Sequence, residues 1–339
     1  MKPPLFAIEI NESVTRIASA RFENGVVFLE SIGTIDTEPG FFTTADTSIT
    51  QQKQAHIIHT LCADLKITTK HVNIVIPDAV SYAQVLETPV LSEADLVSSI
   101  RYQADEFIPM KVEDTYLDLE ILKQDTDAGK LDILIVAAPR KMVDGIYRSV
   151  ELAGLTPARL ETEVSAISRL VSEVMQVKPV HEGYCILNVG YSASSLYVID
   201  TNTSALVFYK TCKIGFDLVL REIMTNLNIS KEAAIALLAE PGARRSEVVT
   251  SISTSLKELG HEVDRLVEAY TRRFSLPVQH IFSINFSSYI SDFNRLMTSF
   301  TNYQVESLPL NTVYVPNPVV KAFSSEITGF ASVVSSITV

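Results

Sequence analysis

Leu5-Phe6-Ala7-Ile8-Glu9-Ile10-Asn11-Glu12-Ser13-Val14-Thr15-Arg16 is an apolar run, a small polar turn and the start of a second run. It turns at Glu23-Asn24-Gly25 and returns as Val26-Val27-Phe28-Leu29-Glu30. The same order recurs past the midpoint in Cys185-Ile186-Leu187-Asn188-Val189-Gly190-Tyr191-Ser192-Ala193-Ser194-Ser195-Leu196-Tyr197-Val198-Ile199, followed by a turn over 200–204 and Ala205-Leu206-Val207-Phe208-Tyr209. Glu9 matches Asn188, Asn11 matches Gly190 and Ser13 matches Ser192, all at one constant offset. Each copy reads as strand, turn, strand and hairpin. One copy alone is what any hairpin needs, since Gly, Ser and Asn serve tight turns generally. Two copies in matching order predict a two-lobed α/β chain with a central cleft.

The length of 339 residues suits about two domains, and 47% apolar residues suffices for sizeable cores. A net charge of −12 and a pI near 5.0 exclude a phosphate-backbone partner, which calls for a basic face. Mean hydropathy is +0.20, yet a stretch such as Ile133-Leu134-Ile135-Val136-Ala137-Ala138 is far too short to span a bilayer and reads as a buried strand. The opening Met1-Lys2-Pro3-Pro4 shows no cleavable signal pattern, so the chain is expected in the cytoplasm. Cys62, Cys185 and Cys212 are odd in number and far apart, which fits neither a disulfide framework nor a metal site. His56 and His59 lie three apart on an expected helix with nothing nearby to complete a metal site, and Arg244-Arg245 follows Pro241-Gly242 as a solvated turn.

Between the two copies, a helix is expected over 51–66, a strand over 72–77 stopped by Pro77, and a second strand over 80–88. Ser92-Glu93-Ala94-Asp95 opens a helix with a capping-box pattern, running to about Phe107 before Pro109. Strands over 115–123 and 130–138 and a helix over 141–153 complete an insertion between the lobes. Beyond the second copy, helices are expected after Gly215, over 231–239 behind Ser230, over 247–273 and over 292–300, with a strand over 279–285. The end of the chain reads as a Val-, Ser- and Ala-rich helix without the basic and aromatic residues of a membrane-surface helix.

Two turns of this kind are how actin-like clamps hold phosphate, with backbone N–H groups and hydroxyls of both turns aimed into one cleft. The insertion is more specific. Leu91-Ser92-Glu93-Ala94-Asp95-Leu96, Ile100-Arg101-Tyr102-Gln103-Ala104-Asp105-Glu106-Phe107-Ile108-Pro109 and Tyr116-Leu117-Asp118-Leu119-Glu120 resemble the PilM family of type IV pilus assembly proteins. So do Ile135-Val136-Ala137-Ala138-Pro139-Arg140 and Leu152-Ala153-Gly154-Leu155-Thr156-Pro157 with Glu161 beyond, and the likeness covers nearly the whole chain.

The resemblance implies an actin-like α/β fold of two lobes built on ribonuclease H-like repeats, with the insertion subdomain that PilM shares with FtsA. Its divisions fall at 1–79, 161–180 and 317–339 for the first lobe, and 80–160 for the insertion. They fall at 181–229 and 275–316 for the second lobe, whose smaller part is 230–274. It also implies a cytoplasmic adaptor, peripheral on the inner membrane through a partner. That adaptor binds the cytoplasmic N-terminal peptide of a PilN-like protein in a groove between insertion and first lobe, and links it to motor ATPases. Capture of an extended apolar segment suits a hydrophobic groove with backbone hydrogen bonds. The apolar corner Phe107, Ile108, Pro109 and Met110 is the expected peptide site, with burial to dock the insertion as its other reading. Self-association and an FtsA-like filament remain alternatives, although FtsA usually ends in an amphipathic membrane helix and 319–339 is unlike one. A sugar-kinase-like enzyme of the same superfold would need a carboxylate base and Gly-rich loops, which are missing.

By the same resemblance, ATP with Mg²⁺ would be met by Asn11, Ser13, Arg16, Asn188, Gly190, Ser192, Ser194 and Gly215. Departures are concentrated there. Glu9 and Asn11 stand where nucleotide-binding members carry Asp and Gly, Arg16 where they carry Lys, and Asn188 where they carry Asp. Gly215-Phe216 replaces two glycines and Leu220 a Thr. The Gly-rich late turn becomes Phe282-Ser283-Ile284-Asn285-Phe286-Ser287-Ser288, and Ala233-Ala234-Ile235-Ala236-Leu237-Leu238 replaces polar nucleoside contacts. Two readings stand: an apolar pocket that stacks adenine, or a cleft packed shut, with nucleotide bound weakly or not at all and negligible hydrolysis.

Overall fold

Alternation along the first strand sets up the first lobe. Phe6, Ile8 and Ile10 point to one face and Ala7 to the other, and all are buried, so both faces of the sheet must be covered. The computed structural model describes residues 5–23, 25–92, 95–100, 102, 108–125, 129–175, 183–240, 245–274 and 276–338. The first sheet contains β1 (Phe6–Ile10), β2 (Val14–Glu23), β3 (Val26–Asp36), β4 (His71–Ile76) and β8 (Thr156–Thr162), in the order β3-β2-β1-β4-β8. Phe6, Ile8, Ile10 and Ile17 pack with Ile58 and Leu61 of the helix Ser48–Asp64 and with Ile146 and Val150 of the helix Arg140–Leu152. Ala7, Ala18 and Val75 pack on the opposite side with Val164 and Ile167 of the helix Glu163–Arg169 and with Val333 and Val334 of the helix Ala331–Ile337.

The second lobe repeats this plan. Strands β9 (Gly183–Val189), β10 (Ser194–Asp200), β11 (Ala205–Cys212), β12 (His280–Asn285) and β13 (Gln304–Ser307) run in the order β11-β10-β9-β12-β13. Position by position this is the first sheet again: an antiparallel meander of three strands, then two parallel neighbours. The duplication read at the hairpins therefore extends to whole sheets.

The insertion forms a three-stranded antiparallel sheet of β5 (Tyr82–Pro89), β6 (Thr115–Asp125) and β7 (Lys130–Pro139), in the order β5-β7-β6. One face packs Leu131, Ile133 and Ile135 against Leu96 and Ile100 of the helical residues 95–100. The other presents Ala83, Val85 and Leu134 to a core that also holds Tyr197, Ile199 and Leu206 of the second lobe. The chain returns to the first sheet earlier than the expected boundary at 160. Val143, Ile146 and Val150 form an apolar helical stripe buried against the first sheet and the helix Ser48–Asp64, and β8 is the parallel neighbour of β4. Gly145 allows that contact, since a Cβ there would lie 2.4 Å from the Ala45 carbonyl oxygen.

Candidate functional site

The two turns meet in the cleft. In the first, Asn11 Oδ1 accepts from the amides of Ser13 (3.0 Å) and Val14 (2.9 Å), while its Nδ2 donates to Glu9 Oε1 at 2.9 Å. The amides that would cradle a phosphate in this turn are satisfied by its own side chain. In the second, Ser194 Oγ donates to the Ile214 carbonyl at 2.6 Å, and Ser192 Oγ crosses the cleft to Glu12 Oε1 at 2.5 Å. Gly190 and Gly215 are needed by the turn itself. A Cβ would lie 2.3 Å from the Ala193 carbonyl oxygen at Gly190 and 2.3 Å from that of Tyr191 at Gly215.

Arg16 occupies the centre. Its Nη1 donates to Glu9 Oε1 (3.2 Å) and to Asn285 Oδ1 (2.6 Å), and its guanidinium lies 4.6 Å from the centre of the Phe286 ring. Asn285 Nδ2 donates in turn to Glu163 Oε1 (3.1 Å) and Asn188 Oδ1 (3.0 Å). Asn188 Nδ2 reaches Asp78 Oδ2 (3.2 Å) and the Tyr197 hydroxyl (2.8 Å), Tyr197 donates to Asp78, and the Asp78 amide donates to Glu163 Oε2 at 3.2 Å. Glu9 also accepts from Ser332 at 2.5 Å. Asn285 holds φ 69° and ψ −129°, a backbone state that favours glycine, and its amide side chain spans the cleft centre. Burial raises Glu163 well above its ordinary value, and the charges of Asp78 and Glu9 add to that. Burial also raises Asp78, to about 6, against the lowering hydrogen bonds from Tyr197 and Asn188. The cavity left between the turns measures about 10 Å³, room for about one water.

Of the residues read from the sequence, Asn11, Arg16, Asn188, Gly190 and Ser192 converge on this cleft, with Ser13 in the first turn and Ser194 and Gly215 supporting the second. Sequence reasoning missed Asp78, Glu163, Tyr197 and Ser332. A polar residue closing an apolar strand, as Asp78 does after Val-Ile-Pro, was the available signal.

A second, larger concavity of about 710 Å³ lies between insertion and first lobe. Its walls are β6 (Tyr116–Glu120) and β8 (159–162), with Val143, Asp144 and Tyr147 of the helix Arg140–Leu152 between them. Each of those strands is the last of its sheet. Tyr116 donates to Asp144 Oδ1 at 2.9 Å beneath the Arg140 guanidinium, and Arg169 pairs with Glu161 at 2.8 Å. Leu160 and Tyr147 remain partly exposed, and burial raises Glu120. The expected corner does not line this groove. Ile108 is buried beside Ala137 among Tyr82, Met110 and Val112, Pro109 is exposed away from it, and Phe107 lies outside the described residues. The apolar side chain of Ile108 packs inside the insertion itself, between β5, β6 and β7.

Residues 8–270 match the family described as type IV pilus assembly protein PilM. The chain belongs to the PilM family. A solved structure described as a PilM–PilN type IV pilus biogenesis complex superposes with a TM-score of 0.84 at 17% identity, covering 99% of this chain and 98% of that one. The ethanolamine utilization protein EutJ from Carboxydothermus hydrogenoformans superposes with a TM-score of 0.58 at 10% identity, covering 99% and 90%. PilM and EutJ share the actin-like fold, and the lobes and sheets described above are its two halves. Among the described residues no helix is long and apolar enough to cross a membrane.

Proposed function

We propose that this PilM-family protein is an adaptor of pilus assembly that holds an extended cytoplasmic segment of a PilN-like inner-membrane protein in the groove between β6 and β8. The observation that carries the reading is the pairing of two terminal strands across one concavity of about 710 Å³. Terminal strands present unpaired N–H and C=O groups, so a segment entering in extended form gains backbone hydrogen bonds, and Leu160 and Tyr147 supply apolar contact. The relative solved as a PilM–PilN complex supports the choice of partner. Attachment to the membrane then runs through that partner, which in turn gives the adaptor a place beside the motor ATPases.

The cleft, on this reading, serves structure in place of nucleotide chemistry. Supporting it are the first turn's amides satisfied by Asn11, the Arg16–Asn285–Glu163 chain across the centre, and a residual cavity of about 10 Å³. Two titrations test the proposal. Calorimetry with a synthetic N-terminal peptide of the partner should show binding that Leu160→Glu weakens at least tenfold with the fold intact; equal affinity would exclude the groove. Mg²⁺–ATP at millimolar concentration should leave the melting temperature unchanged, and micromolar affinity or steady turnover would restore the cleft as a nucleotide site.

A further inference from the structure

The two walls of the groove differ in chemistry. Alternation along β6 sends Leu117 and Leu119 into the core of the insertion and leaves Tyr116, Asp118 and Glu120 exposed at the groove. Four carboxylates and two guanidiniums line the concavity, Asp118, Glu120, Asp144 and Glu161 against Arg159 and Arg169. Glu161 and Arg169 pair with each other at 2.8 Å. Arg140, stacked on Tyr116 at 4.3 Å, brings a further guanidinium to the end where Tyr116 bonds Asp144. Among the described residues Asp118, Glu120 and Arg159 form no ion pair, so the β6 wall presents two unpaired carboxylates two positions apart. The β8 wall offers one cation, Arg159, and the apolar Leu160. The negative sign extends beyond the groove, since the whole chain carries −12.

We propose that Asp118 and Glu120 are the specificity residues of the groove and select a basic extended segment, with Lys or Arg at alternate positions facing β6 and apolar residues between them. The inference rests on the peptide reading given above and deepens it. Two residues along a strand span about 6.5–7 Å, so side chains two apart in an extended segment match the spacing of Asp118 and Glu120. The intervening side chains point the other way and meet Leu160 and Tyr147. The occupant has a physical reason to be basic, because cytoplasmic segments within about 15–20 residues of a membrane span carry an excess of Lys and Arg. Charge of opposite sign on groove and segment favours encounter and rejects acidic competitors.

The probe is the partner's cytoplasmic N-terminal peptide, made in native form and with its Lys and Arg residues replaced by Gln or by Glu. Each is titrated by calorimetry into the full chain at about 0.1 M and about 1 M salt, which shortens the screening length from about 10 to about 3 Å. On wild type the Gln peptide should bind roughly tenfold more weakly than the native one at the lower salt, and the difference should shrink at the higher. Asp118→Lys with Glu120→Lys, at two exposed positions, should keep its melting curve, lose affinity for the native peptide and bind the Glu peptide better than wild type does. A Gln peptide that binds wild type as tightly as the native one, or a loss that salt does not reduce, overturns the charge selection and leaves the peptide reading standing. So does tight binding of a native segment that has no Lys or Arg. Failure of wild type to bind the native peptide at either salt overturns the peptide reading itself.

Discussion

Replacing Arg16 with Met tests how the cleft is held. Arg16 is buried, its side chain 1% exposed, and it is the cross-strand partner of Glu9, itself equally buried. Removal leaves the Glu9 carboxylate without its cation and Asn285 Oδ1 without its donor. Breaking one member of a buried ion pair costs about 3–5 kcal/mol. Among the described residues Arg16 Nε and Nη2 have no hydrogen-bond partner, so the pair is incompletely compensated and the lower half of that range is expected. Met keeps an unbranched apolar side chain in the space of the arginine stem, which limits the cavity contribution. Urea unfolding should show a lower midpoint with unchanged slope. Arg16→Met with Glu9→Gln should recover to within about 2 kcal/mol of wild type, because the stranded charge is removed while the Gln oxygen still accepts from Asn11 and its NH2 can donate to the Ser332 hydroxyl. A loss under about 1 kcal/mol for the single variant, or strict additivity in the double, would refute the argument that Arg16 bridges the cleft as a buried counter-ion.

Other outcomes follow from the same contacts. Asp78 is raised to about 6 and Glu163 well above its ordinary value, so the folded chain holds protons that the unfolded chain releases. Their contribution to stability is whole below about pH 4 and lost as pH rises through 6 and beyond. The urea midpoint should therefore fall between pH 5 and 7.5, and Asp78→Asn should flatten the slope; a profile unchanged by that substitution would count against it. Gly145→Ala forces a Cβ into the Ala45 carbonyl and should destabilise by about 1–3 kcal/mol. Since Asp144 and Tyr147 of that helix line the groove, calorimetry should show weaker peptide binding as well. Vesicles bearing a lipid-anchored partner peptide should sediment the protein and bare vesicles should not; equal sedimentation would point to a direct membrane anchor.

The repeated hairpins were legible because period-two alternation and paired turns are local signals, and the sheets then followed from duplication. β8 was not legible. Thr156-Pro157-Ala158-Arg159-Leu160-Glu161-Thr162 has one neighbour strand and largely exposed side chains, so it carries no alternation, and its proline sits beside a register shift. β13 is only four residues long. At the cleft, the turn residues stood out, whereas Asp78 and Glu163 are brought together only by the pairing of β4 with β8, and Asn285 reaches them from the second sheet by hydrogen bonds across the lobes. The groove was hidden for a related reason, being made of two sheet edges rather than any one motif. The corner at Ile108 drew notice through its hydrophobicity, which is spent inside the insertion.

The helix Ala331–Ile337 is buried along its whole length against β1, β2, β4 and the helix Glu163–Arg169, and Ser332 bonds Glu9 across 323 positions of sequence. The ribosome therefore delivers the first strand of the first lobe long before it delivers the segment that covers it. At typical synthesis rates of about 5–20 residues per second, that face of the sheet stays open for roughly 15 to 60 seconds. Ala7 and Ala18, then Val75, lie on a face that the helix Glu163–Arg169 covers in part and the helix Ala331–Ile337 covers last, so an apolar strip stays open to chaperones, or to other nascent chains, until the end of synthesis. A chain cut short before 331 would leave this strip without the helix that covers it.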